Sequence, residues 1–142
     1  MAAWAYYEAN DYPRALSTLE RYIELYPAHE DSEYAYFLRA LCYYEQIDDV
    51  ERDAAMTKRS MDAFSELLRR FPEGVYAQDG QLKRDLASSH LAGKEMSVGR
   101  FYLKQGYISA AINRFQTVTK KYQTSNQVPE ALYRLTAAYN MM

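Results

Sequence analysis

At 142 residues the chain is long enough for one core, and its formal net charge of −2 gives no overall excess pointing to nucleic acid or to an acidic partner. Its one cysteine, Cys42, excludes an intrachain disulfide. No apolar run approaches the ~20 residues that span a bilayer. Tyrosine is over-used, with 15 copies, so aromatic packing or an aromatic surface is expected.

In chain order, residues 2–9 read as the end of a helix, and Asp11 caps the next one with Pro13 in its first turn. Leu16, Leu19, Ile23 and Tyr26 give that helix an apolar stripe, and Pro27 ends it. Asp31 or Ser32 caps a third helix carrying residues 34–44. A turn is due at Gln46, but the segment IDDVERDAAM intervenes before a fourth helix begins near Thr57. Asp48 with Glu51 could cap a short extra turn there. After Pro72, residues 75–105 predict a single long helix. Gly80, Gly93 and Gly99 would each weaken it by about 1 kcal/mol relative to alanine, which close packing at the glycines would explain. Residues 107–123 form its partner, QTSNQ is a loop, and Pro129 opens a last helix through Leu132, Leu135 and Tyr139. The expectation is seven helices and no strand.

These elements repeat. Residues 7–27, 57–72 and 102–123 align so that Ala15, Ser60 and Ala111 coincide, as do Leu19, Phe64 and Phe115. Tyr22, Leu67 and Val118 coincide, and so do Tyr26, Phe71 and Tyr122. The order of aromatic, small residue, aromatic and proline over two short helices resembles the tetratricopeptide pattern. Small residues let paired helices approach, and aromatics fill the space between repeats. Asn10 and Gly106 fall at the inter-helix turns and are residue types at ease with positive φ. The fold class expected is an all-α tetratricopeptide-repeat superhelix of antiparallel helix pairs. Residues 1–27 form a partial repeat, 32–72 a repeat with an insertion at 46–56, 76–123 a repeat with a long first helix, and 128–142 another partial repeat. The chain therefore reads as a fragment of a longer protein.

No motif here supports catalysis. The acidic cluster Asp48, Asp49, Glu51 and Asp53 lacks the glycine and distal glutamate of a helix-loop-helix calcium site. Ser88, Ser89 and His90 are adjacent, but His29 is the only other histidine and no nucleophile elbow accompanies them. Two histidines and one cysteine make no zinc site, and no phosphate-binding glycine loop is present. No cofactor and no metal are expected. Cys42, between Leu41 and Tyr43 in a helical pattern, reads as a small buried hydrophobe.

In tetratricopeptide stacks the first helix of each pair lines the concave face. That placement selects Trp4 and Tyr7 in one copy and Tyr34, Phe37, Leu41 and Tyr44 in the next. These rings read either as a groove for extended peptide segments or as packing beneath a preceding repeat. The third copy offers Met96, Arg100 and Leu103, a less aromatic and more charged set.

The runs FLRALCYYEQIDDVERD, FSELLRRFP, LAGKEMSVGRFYLKQGYISAAINRFQTV and VPEALYRL resemble the BamD (ComL) family of outer-membrane assembly lipoproteins. The likeness covers the whole chain, from the family's second repeat into the first helix of its fifth. It implies a non-enzymatic scaffold on the periplasmic face of the Gram-negative outer membrane. Implied partners are the POTRA domains of the Omp85-type insertase BamA, other assembly-machinery lipoproteins and unfolded outer-membrane proteins. No nucleic acid is implied, and the membrane is reached only through a lipid anchor outside this chain, so Cys42 is not the lipidated cysteine. By the family's pattern Arg114, in the pair Asn113–Arg114, contacts the insertase, with Tyr102, Tyr107 and Arg52 as further candidates. The other reading is a generic tetratricopeptide adaptor or co-chaperone binding extended peptides in another compartment.

Overall fold

The computed structural model describes residues 2–27, 31–47 and 54–142. Among them are seven α-helices and no strand: α1 (Ala2–Glu8), α2 (Tyr12–Leu25), α3 (Ser32–Glu45), α4 (Ala54–Arg70), α5 (Ala77–Lys104), α6 (Ile108–Lys121) and α7 (Val128–Asn140). They form antiparallel pairs, as the tetratricopeptide pattern requires. The chain divides into two compact units, Met1–Ala87 and Ser88–Met142. Helix α4 starts three residues before the expected Thr57, because the last residues of the intervening segment are helical. The possible turn around Asp48 and Glu51 lies outside the described residues.

The repetition extends to individual hydrogen bonds. Helices α1 and α5 end in the same two-bond closure. Asn10 N–H donates to the Tyr7 carbonyl and Asp11 N–H to the Tyr6 carbonyl; Gly106 N–H donates to Leu103 and Tyr107 N–H to Tyr102. Such a closure needs one residue with positive φ, and Asn10 (60°) and Gly106 (84°) supply it. The following helix then opens differently in each copy. Asp11 accepts from Arg14 N–H at 3.4 Å, a side-chain cap with Pro13 behind it, whereas Tyr107 offers no side-chain cap. Asp31 stands at the N-cap position of α3, one of the two expected places, but its side chain makes no capping hydrogen bond to the first turn. Ser32 instead donates its hydroxyl to the Tyr26 carbonyl, tying the start of α3 to the end of α2.

In the first unit Ala15, Leu19, Ser60, Phe64 and Leu67 are fully buried; in the second, Ala111, Phe115 and Val118 are. The repeat register is therefore also the packing register. Tyr26, expected on the α2 stripe, is half-exposed beyond the helix end, with its ring 5.2 Å from that of Tyr22. Tyr36 is buried whole, its hydroxyl donating to the Pro27 carbonyl at 3.2 Å. The guanidinium carbons of Arg39 and Arg70 lie 5.2 and 5.3 Å from its ring centre. Both arginines also reach Glu66, at 2.8 and 3.2 Å. Cys42 is buried without a partner cysteine, and burial pushes its thiol up to about 12.

The glycines of α5 are not alike. A Cβ at Gly99 would lie 2.5 Å from the Phe115 ring, and one at Gly80 would lie 3.0 Å from Leu67. At Gly93 a Cβ would meet nothing within 4 Å, so close packing does not explain that glycine. Outside the helix, Gly74 leaves room for the Glu33 carboxylate, which accepts from Tyr76 N–H at 3.0 Å and fastens α3 to the approach of α5.

Two substitutions in one helix should consequently have opposite signs. Gly93→Ala should raise stability by about 0.5–1 kcal/mol through helix propensity alone. Gly99→Ala should lower it, because the Phe115 ring must yield. Phe115→Ala or Phe64→Ala should cost roughly 3–5 kcal/mol by leaving a cavity. Chemical denaturation followed by far-ultraviolet ellipticity checks all four; a stabilised Gly99→Ala would contradict the α5–α6 contact.

Candidate docking surfaces

The six residues expected to line an aromatic groove all fall in the first unit, on α1 and α3, but they are not equally accessible. Trp4 is 49% exposed, while Phe37 retains only 6% of its surface. Phe37 stacks on Tyr76 with ring centres 4.7 Å apart and also meets Phe64 at 6.2 Å. As a groove-lining residue it is corrected to a core residue. Tyr34 lies 5.6 Å from the same Tyr76 ring, and Tyr44 stands edge-on to Phe64 at 6.2 Å with Lys83 Nζ 5.4 Å from its centre. Tyr7 packs edge-on to Tyr12 at 6.1 Å, and Leu41 is half-buried. Burial raises the phenol pKa of both Tyr7 and Tyr34; the Glu45 carboxylate adds to the rise at Tyr7, and Tyr76 adds to it at Tyr34.

Tyr76 and Lys83 are the residues sequence reasoning missed. Tyr76 sits in the connection before α5, where no periodicity marks it as facing anything. Lys83 is one charge on a long helix with no apolar stripe of its own.

The candidate partner-binding residues Arg114, Tyr102 and Tyr107 do come together in the second unit. A shallow hollow is lined by Glu95, Tyr102, Ala110, Asn113, Arg114, Thr117 and Lys121. Arg114 Nη1 donates to Glu95 Oε2 at 3.0 Å, joining α6 to α5. The hydrogen bond and charge of Glu95 raise the Arg114 pKa above its usual value. With Arg114 42% exposed, such a pair contributes about 0.2–1 kcal/mol to stability. Tyr107, 63% exposed, stands edge-on to Tyr102 at 6.4 Å. Arg52 lies outside the described residues.

Elsewhere, Ser89 accepts a hydrogen bond from Asn126 N–H at 3.3 Å, and Ser88 is buried. Among the described residues no three His, Cys, Asp or Glu gather as metal ligands, and no helix is long and apolar enough to cross a membrane. The acidic residues Asp48, Asp49, Glu51 and Asp53 are outside that set.

Paired helices with buried small residues at Ala15, Ser60 and Ala111 and buried large ones at Leu19, Phe64 and Phe115 define a helical-repeat protein of the tetratricopeptide type. The chain belongs to the YfiO outer membrane lipoprotein family, whose model matches residues 1–142. It is 45% identical over 139 residues to the outer membrane protein assembly factor BamD of Caulobacter vibrioides, covering 98% of this chain and 46% of that protein. It is 47% identical over 142 residues to BamD of Rickettsia prowazekii, covering 100% and 57%. With BamD of Neisseria meningitidis serogroup A it shares 35% over 150 residues, covering 99% and 56%. The chain spans about half the length of the curated relatives it matches.

Access to the aromatic row in this chain is governed by Tyr76. Its two ring contacts, at about 0.5–1.5 kcal/mol each beyond area burial, make Tyr76→Ala destabilising by about 2 kcal/mol. The same change should bare Phe37. Increased fluorescence of an apolar dye such as ANS, without loss of helicity, is the expected readout.

Proposed function

We propose that this chain is part of a non-enzymatic scaffold that assembles β-barrel proteins at the periplasmic face of the Gram-negative outer membrane, lipid-anchored through a segment outside this sequence. The observation carrying the proposal is that relatives matching the chain over nearly its whole length are named outer membrane protein assembly factors. On this reading residues 32–72 and 76–123 are complete repeats, and two surfaces divide the work. The hollow around Arg114, with Tyr102 and Tyr107, docks the POTRA region of a BamA-type insertase. The accessible aromatics of α1 and α3, Trp4, Tyr7, Tyr34 and Tyr44, hold extended segments of unfolded barrel proteins, with other assembly lipoproteins bound elsewhere.

Arg114 suits a docking role because its register equivalents are Thr18 and Ala63, so the repeat's packing does not call for a charge there. Its guanidinium can make two parallel bonds to a carboxylate. The bond to Glu95 restrains the Arg114 side chain before any partner arrives, which lowers the ordering cost of binding, and a partner carboxylate would join or displace Glu95.

Arg114→Glu should weaken insertase binding by roughly 2–5 kcal/mol without unfolding the chain. An acid-to-base change on the partner should recover part of that loss. Calorimetry with isolated POTRA domains reads both effects, and wild-type affinity of the charge-reversed protein would remove Arg114 from the interface. Photo-crosslinkers at Trp4 and Tyr7 should capture unfolded barrel segments; capture only from α2 or α4 positions would sink the groove.

A further inference from the structure

The second unit contains another concave surface, distinct from the Arg114 hollow. An open groove of about 470 Å³ runs between the end of α5 and the middle of α7, lined by Ser97, Arg100, Phe101, Leu103, Lys104 and Arg134. Three of the six are cations and none is an acid. Arg100 Nη1 is paired with Glu130 Oε2 at 2.6 Å. Neither Lys104 nor Arg134 has a carboxylate partner among the described residues, and Arg134 Nε is buried without a hydrogen-bond acceptor. Phe101, beside them, is 58% exposed.

This concentration is local, because the chain as a whole carries a net charge of −2. A partly buried guanidinium lacking an acceptor is a bonding capacity left unused, and the group best shaped to use it is a carboxylate. The exposed ring offers a face for an apolar side chain next to that carboxylate. The groove is open along its length, which fits an extended chain better than an enclosed small molecule. Two uncompensated cations are also too few for a lipid surface, which is usually held by clusters of roughly 4–8.

We propose that this groove binds an extended acidic peptide segment, with carboxylates on Arg134 and Lys104 and a neighbouring apolar side chain laid on Phe101. Arg100, shared with Glu130, borders the site and keeps its own charge compensated. The lining of this groove shares no residue with the Arg114 hollow, although the Phe101 ring lies 6.0 Å from that of Tyr102.

The test uses the 142-residue chain and a peptide of alternating Glu and Phe carrying a neutral dye, followed by fluorescence anisotropy at low salt. The peptide should bind, and its counterpart with Gln in place of Glu should bind at least about tenfold more weakly. Lys104→Gln and Arg134→Gln should each weaken binding roughly tenfold, as charge-assisted bonds are lost. Phe101→Ala should weaken it with no change in melting temperature, and Arg114→Glu should leave it untouched. If Arg134→Gln does not fold, Lys104→Gln, at an exposed position, carries the test. Equal affinity for the two peptides, or wild-type affinity in both the Lys104 and Arg134 variants, overturns the proposal. So does flotation with phosphatidylglycerol vesicles that those two substitutions abolish, since it would reassign the groove to lipid headgroups.

Discussion

The close approach of paired helices at small side chains is the constraint on which the rest depends. At Gly99 the Phe115 ring of α6 fills the space a Cβ would take, so α6 can approach α5 this closely only because that position carries no side chain. That nearness buries Phe115 completely and fixes which face of each helix is left over. Ala15, Ser60 and Ala111 play the same part at their own crossings. Ser60 does so at a cost, because its hydroxyl is buried with no partner among the described residues, whereas alanine serves in the other two copies. The faces turned away from these crossings are the ones available for binding.

Most of the architecture was legible in the sequence because it rests on local signals that repeat. Asn10 and Gly106 announce turns whose φ values only such residues accept easily, and Pro27 and Pro72 mark helix ends. The aligned Leu19, Phe64 and Phe115 identify the core without any knowledge of topology. What could not be read were contacts made by residues outside the periodic pattern. Tyr76 lies in a connection, yet its ring covers Phe37 and touches Tyr34. Glu33 reaches 43 residues along the chain to Tyr76 N–H, and no spacing rule encodes such a contact. Gly93 shows the converse error, a glycine that looks required and has open space around it.

The candidate surfaces were legible to different degrees for the same reason. Position in the repeat picks out Arg114 as a charge that packing does not require. It does not reveal Glu95, the counter-ion supplied by the preceding helix. Helical spacing places Tyr34, Phe37 and Tyr44 along α3, where they meet the rings of Tyr76 and Phe64. Which of the α3 rings remain accessible is decided by Tyr76, in the connection before α5, and by Lys83 on α5 at Tyr44, neither of which the periodic pattern marks.

Trp4 is the chain's only tryptophan, half-exposed on the short first helix, while 15 tyrosines are spread over every repeat. The two chromophores therefore report on different things. Indole emission senses the attachment of α1 alone, and phenol emission samples the array. In a protein held together by neighbour contacts, those signals need not change at the same denaturant concentration. A gap between them would measure directly how far fraying of the first helix runs ahead of the loss of the repeats behind it.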